Sequence, residues 1–553
     1  MAGFDQEFDV VIVGSGAAAL AAALGAVDEG LSALMIESGE KWGGNSNKSG
    51  GGMWLPNNPL MREDGAGDSR EEALEYLKVT AKNEYRATSP ERQAAFVDGV
   101  DDWVHTCARH GITFVRAKEY ADYYPELPGG KIGRALEVYP ISKNSLGPWK
   151  RNMAAPAALP VMTDDVWLLT RAFVTFSGFT RGVQLVLRLL RGLASGKGIL
   201  AGIGVALTGS LLRATVGRGN VKLWTKTPMT DLVMDGDRVV GVKATSGGRE
   251  ITIGARKGVV LASGGFDGNR EKRQEHHGID GNPSGVLTNL GVPIEVAAEH
   301  GAALELMDDA WWGASVISTN PGVEDPSFLV GERAMPHSII VDDRGRRFAN
   351  EAESYIDLGH HMLEHNKDGR WWMIADKRHR RYLRNYLLAP GVKTKLREQG
   401  SYVEADTVEE LAGKLGMEPD TLRDTVDRFN GFARAGVDGD FGRGNSAYDR
   451  YYSDPRVQPN PNLGSLAKGP FDAVELVIGD LGTKGGVVTD ERARVLREDG
   501  SAIAGLYASG NCSASVMGHT YPGPGSTLGP AVVFSLIAAR DLAHTDDTRR
   551  GEG

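Results

Sequence analysis

The sequence predicts an α/β protein in which a discontinuous nucleotide-binding domain, drawn from both ends of the chain, carries an inserted α+β catalytic domain. Two observations predict it. A strand, a glycine turn, a helix, a second strand and an acid follow one another at the N-terminus, and strands ending in glycine recur near residues 264 and 510. The expected division is 1–308 with 483–553 for the cofactor domain and 309–482 for the inserted domain that handles substrate. A chain of 553 residues has room for both, and 41% hydrophobic content supports full cores.

The β-branched run Phe8 to Val13 has no helical period and reads as a buried strand. It enters Gly14-Ser15-Gly16-Ala17-Ala18-Ala19, then an alanine-rich helix to about Glu29, a strand Ala33 to Ile36, and Glu37-Ser38. This order is Rossmann-like. Gly14 makes the tight turn, Gly16 lets a pyrophosphate approach the backbone, and Glu37 can accept hydrogen bonds from ribose hydroxyls. The motif alone does not separate NAD from FAD. The run Gly44-Asn45-Ser46 with Ser49-Gly50-Gly51-Gly52, one turn after the acid, offers backbone donors and room for a flat phosphate-bearing ligand, which favours FAD. The strand Gly258 to Ala262 ends at Gly264-Gly265, and the strand from Gly505 ends at Gly510-Asn511, both at the edge where a doubly wound sheet binds its cofactor.

Only two cysteines, Cys107 and Cys512, lie far apart in sequence, so no disulfide framework or thiolate metal site is expected and a reducing compartment is. The first strand begins by residue 8 and no signal peptide is read. Net charge −10 argues against a nucleic-acid partner. One segment departs from the acidic trend. Between Val166 and Arg218 stand seven basic residues, Arg171, Arg181, Arg188, Arg191, Lys197, Arg213 and Arg218, and no acidic one. Its longest uncharged run, Gly198 to Leu212, has 15 residues, too short to span a bilayer. About Ile199 to Val216 reads as a core helix. About 162–196 reads as basic amphipathic helices lying on an anionic membrane surface; the alternative is packed helices with a solvated basic face. The location expected is cytoplasmic, peripheral on the inner face of the membrane. Val221 to Leu261 is strand-rich with a hairpin at Asp235-Gly236-Asp237, and Thr407 to Phe432 is helical by period.

Near the C-terminus, Tyr521-Pro522-Gly523-Pro524-Gly525-Ser526-Thr527-Leu528 precedes an apolar stretch, Ala531 to Ala539, that reads as a helix. A stiff turn of this kind can aim a tyrosine O–H and a glycine N–H at one ligand oxygen, with a helix dipole behind. Ser526 and Leu528, at the helix start, are placed on the cofactor. With this turn, the glycine signature, Glu119 to Glu126, Arg346 to Glu351 and Leu481 to Gly486, the sequence resembles the bacterial 3-ketosteroid Δ1-dehydrogenase family over nearly its whole length. The resemblance implies FAD and desaturation of the C1–C2 bond of a 3-ketosteroid such as a 4-ene-3-one, followed by transfer to an external electron acceptor. It implies that Tyr521 and Gly525 hold the C3 oxygen. Tyr355, five residues past Asn350, would then be the base for the C2 proton, and Tyr123 its hydrogen-bonding partner.

Related flavoproteins commonly carry Asn-Thr-Gly-Asp-Gly where this chain reads Asn289-Leu290-Gly291-Val292-Pro293, which loses an acid and a glycine near the flavin. Four rival readings remain. They are a 3-ketosteroid Δ4-(5α)-dehydrogenase, a fumarate-type reductase (which needs an arginine where Tyr355 stands), a non-enzymatic sterol-binding flavoprotein, and a metal site at His360, His361 and His365. No metal is expected.

Overall fold

Residues 6–13 form the predicted strand, and its register with its two neighbours brings the glycine turns to one edge. The computed structural model describes residues 3–154, 160–196, 198, 200–216, 220–320, 323–367, 369–382 and 391–545. Five strands run parallel in the order Ala502–Ala508, Arg249–Leu261, Gln6–Val13, Ala33–Ile36, Val221–Trp224. Val13 pairs with both Ile36 and Leu261, and Leu261 with Ala508, so all these strands end level. The hairpin at 235–237 joins Met229–Asp235 to Arg238–Ser246 on the same sheet. Helix Ala17–Asp28 is buried along almost its whole length, because alanines on every side let it pack between the sheet and helix Leu528–His544.

The second large sheet is mostly antiparallel, in the order Val323–Phe328, Ala310–Asn320, Phe471–Thr483, Trp371–Asp376, Ser338–Val341. Helix Tyr355–Asn366 buries Leu358 and Met362 against Trp312 of this sheet. The predicted helix over Thr407 to Phe432 is two helices, Val408–Leu415 and Pro419–Ala435, divided where Gly416 takes a left-handed conformation and Pro419 starts a new helix.

The basic segment forms helices Thr163–Leu169 and Phe176–Ala194, then the buried helix Ile203–Thr215. Lys197, Ile199 and Arg218 lie outside the described residues. Here the charge argument from sequence needs correction. Arg181 and Arg188 both bind the buried carboxylate of Asp165, at 2.9 and 2.5 Å, one residue before the acid-free stretch begins. Arg171 stacks 4.0 Å over Trp167 and donates to the Ser453 carbonyl. Much of the apparent excess charge is thus used inside the fold. The apolar face of Phe176–Ala194 is left outside: Phe173 and Phe176 are 82% and 83% exposed, and Phe179, Val186, Leu190 and Leu193 are all more than half exposed. No described helix is long and apolar enough to cross a membrane.

Candidate active site

The first glycine of the N-terminal turn shows why the sequence folds there as it does. Gly14 has φ +118°, and a Cβ on it would lie 2.3 Å from the Ala262 carbonyl oxygen. Helix Ala17–Asp28 starts at Gly16 with no side-chain cap. Its Ala17 N–H donates to Ser46 Oγ, and Ser15 donates to Glu37 at 2.5 Å. Glu37, nine-tenths buried, also accepts from the Gly39 N–H and the Ser38 hydroxyl. Gly44, Asn45 and Ser46 open a short helix, Gly44–Lys48, beside this turn. Ser49 then accepts from the Gly51 N–H ahead of Gly52. Gly264 and Gly265 follow the strand Arg249–Leu261, and Gly510 and Asn511 follow Ala502–Ala508. Residues 14–18, 37–38, 44–52, 264–265 and 510–511 therefore gather at one sheet edge. An uncapped helix end, bare glycines, small hydroxyls and one buried carboxylate suit a pyrophosphate and a ribose, so the donor set fits FAD.

The departure at Asn289–Pro293 has a counterpart in space. Asn289 Nδ2 donates to Asp267, and so does Asn45 Nδ2 from the other side. Burial pushes the Asp267 carboxyl up to about 6. A carboxylate thus stands beside Asn289 after all, supplied from 22 residues upstream, where no motif marked it.

The Pro-Gly turn meets this edge. Tyr76 Oη and the Tyr123 N–H both donate to the Pro522 carbonyl, at 2.6 and 2.8 Å, and fix the turn from behind. Gly523 N–H is used inside it, donating to Ser526 Oγ at 2.9 Å. Gly525 has φ +91°, and a Cβ there would lie 2.1 Å from the Gly52 carbonyl oxygen, so only glycine brings this backbone against the expected flavin loop. Leu528 begins the following helix, which runs to His544, beyond the predicted Ala531 to Ala539.

Three tyrosines from distant stretches converge on this turn. Ring centroids of Tyr355 and Tyr521 are 5.2 Å apart, Tyr123 and Tyr521 5.2 Å, and Tyr123 and Tyr355 5.4 Å. All three are at least 95% buried. Trp311, Phe328 and Tyr448 complete the wall. Burial holds the Tyr355 hydroxyl well above the ordinary tyrosine value, with Tyr521 adding to the rise; the bond to Tyr123 acts the other way. Tyr355 is also the first residue of helix Tyr355–Asn366, whose positive end favours a phenolate there. Beyond Tyr123 the hydroxyls continue: Tyr120 Oη lies 3.4 Å from Tyr123 Oη and 2.5 Å from Tyr452 Oη.

Sequence reading missed what supports the turn. Buried Lys484 donates to the His519 carbonyl at 2.5 Å and to Asp309 at 2.8 Å, and Asp309 also binds His519 and His360. Lys484 sat inside a quoted motif; Asp309 carried no signal. His360, His361 and His365 go to three different carboxylates, Asp309, Glu353 and Asp342, which separates them as a ligand set.

A family model described as an FAD binding domain matches residues 9–528. A 3-oxosteroid 1-dehydrogenase of Mycolicibacterium smegmatis is 42% identical, covering 98% of each chain. The chain belongs to the FAD-binding 3-ketosteroid Δ1-dehydrogenase family. A 4-oxocyclohex-2-ene-1-carboxylate 5-dehydrogenase of Sinomonas cyclohexanicum is 34% identical over 98% of this chain and 94% of its own. The crystal structure of 3-ketosteroid Δ1-dehydrogenase from Sterolibacterium denitrificans, in complex with 1,4-androstadiene-3,17-dione, superposes with a TM-score of 0.91 at 34% identity, covering 98% of this chain and all of that one.

Proposed function

We propose that the protein is an FAD-dependent 3-oxosteroid 1-dehydrogenase that takes a proton from C2 and a hydride from C1 of a 3-ketosteroid. The observation that carries this reading is the convergence of Tyr355, Tyr521 and Tyr123 on the turn that ends at Gly525. A proton α to a ketone is released only when the carbonyl is polarised. Tyr521 O–H and Gly525 N–H are the two donors for the C3 oxygen, each supplying roughly 10²–10³ in rate. Tyr355 accepts the C2 proton, aided by its helix end and by Tyr123. FAD, held by the residues gathered at the sheet edge, supplies the hydride acceptor, its N5. In this reading 309–482 is the substrate domain, mounted on a cofactor domain made of 1–308 and 483–553. An aromatic wall suits a neutral, flat substrate. At the position after Asn350-Glu351 where a fumarate-type enzyme needs a cationic donor, the chain places Tyr355.

Anaerobic mixing with 3-ketosteroids tests this directly. Flavin absorbance should bleach and the product should carry a C1–C2 double bond. Bleaching by 4-oxocyclohexanecarboxylate but by no steroid would reassign the substrate, and a C4–C5 double bond would reassign the position.

The finer reading of location is peripheral membrane attachment through Phe176–Ala194. Its support is the exposed aromatic and leucine face, a contiguous patch of the kind that marks a lipid or protein contact. Exposed Arg191 adds about 1 kcal/mol toward anionic head groups. Arg181 and Arg188, being tied to Asp165, contribute less than their number suggests. Steroids partition into lipid, so this face sets the enzyme at its substrate's reservoir.

A further inference from the structure

Arg92 lies on helix Pro90–Arg109 and is 2% exposed. Its guanidinium donates to two backbone carbonyls, Ala87 and Ala514, and stacks 4.9 Å from the Phe534 ring centroid. Its Nε has no hydrogen-bond partner among the described residues. The carboxylates that act on it, Asp490 and Glu305, do so only through space. Three other arginines at comparable depth meet carboxylates, Arg134 with Asp68 and Asp122, Arg273 with Asp480 and Arg443 with Glu351. Arg333, like Arg92, donates only to backbone carbonyls among the described residues, but it is not part of the cleft that Arg92 lines. A buried cation without an anion is costly, so a partner is sought outside the protein's own side chains.

Arg92 lines a narrow cleft together with Asn511, Ser526, Thr527 and Pro530. The cleft opens on the start of the 17-residue helix Leu528–His544, which has no side-chain cap. Two independent features, a helix N-terminus and an unpaired buried guanidinium, thus face the wall where the cofactor is expected.

The reaction supplies the missing charge. As C1=C2 forms, the C1–H bond gives its two electrons and proton as hydride to the flavin. The C2 proton goes to Tyr355, not to the flavin. The cofactor would therefore gain one negative charge each time it is reduced. We propose that Arg92 is the buried counter-charge for this reduced, anionic flavin, acting beside the N-terminus of the C-terminal helix. The inference rests on the proposed proton route to Tyr355; failure of that route would appear as turnover surviving in Tyr355→Phe, whereas failure of the present inference appears in flavin energetics alone.

The test is the midpoint potential of the holoenzyme, by dye equilibration, without steroid. In Arg92→Gln the ratio of reduced to oxidised flavin at a fixed potential should fall about ten-fold, about 30 mV for a two-electron couple. Sulfite, whose addition to flavin also leaves a negative charge, should bind about ten-fold more weakly. Arg92→Lys should restore most of both. An unchanged potential and sulfite affinity in Arg92→Gln that retains FAD would overturn the proposal, as would equal losses in the Lys and Gln variants. Should the Gln variant fail to fold, Arg92→Lys against wild type gives the same two readouts, and the pH slope of the wild type can still sink the proposal. A reduced flavin that stays anionic through neutral pH gives a slope of about 30 mV per pH unit. A slope of twice that means a neutral reduced flavin and sinks the counter-charge.

Discussion

Two aromatic clusters in this molecule break ordinary burial rules in opposite directions. Around Tyr355, hydroxyl groups that water would solvate are enclosed among rings. On helix Phe176–Ala194, phenylalanines and leucines that a core would take are left outside. Enclosure raises the cost of charge and makes every remaining donor count; exposure keeps apolar area available for a second phase. The first cluster is therefore expected to govern the chemical step and the second only where the enzyme meets its substrate.

Substitutions can break this contrast. The largest effect is expected for Tyr355→Phe, which removes the base and should cost about 10²–10⁴ in kcat while leaving flavin content and steroid binding intact. Near wild-type turnover would dissolve the assignment. Tyr521→Phe removes one of two carbonyl donors and should cost about 10²–10³ in kcat/KM, measured with 3-ketosteroids. Comparable rates on 3-hydroxy and 3-keto steroids would refute carbonyl polarisation. Tyr123→Phe should cost less than either and show its role in the pH profile. Burial holds Tyr355 above the usual tyrosine value, so turnover should climb as pH rises into the alkaline range. The bond to Tyr123 lowers that value, so its loss should move the climb to higher pH. A profile that stays put would leave Tyr123 as a packing residue.

The smallest effect on chemistry is expected on the surface. Replacing Phe173, Phe176 and Phe179 together by Ser should abolish co-sedimentation with anionic liposomes and change kcat on a soluble steroid by less than about two-fold. Reversing Arg181 and Arg188 is a poorer probe, because it strips Asp165 of both partners and leaves a buried carboxylate unpaired. If the triple Ser variant pellets like wild type, the exposed face serves another partner.

The sequence alone determined the cofactor end of the molecule. Gly14, Gly16 and Glu37 lie within one βαβ unit, and their roles follow from local backbone conformation and short spacing. The Pro-Gly turn was legible for the same reason: its shape is set by residues next to one another. Tyr123 and Tyr355 could be named only through resemblance, since their stretches and the Tyr521 turn, more than 150 residues apart, are joined by sheet packing that no local pattern encodes. The departure at Asn289–Pro293 looked like a loss because Asp267 joins it through space. Seven basic residues looked like an unbalanced patch partly because Asp165, the anion for Arg181 and Arg188, sits just before the segment and is reached only when two helices fold back on each other. Arg92 carried no signal at all: on an amphipathic helix an arginine reads as solvated, and only tertiary packing decides that this one is buried without a carboxylate.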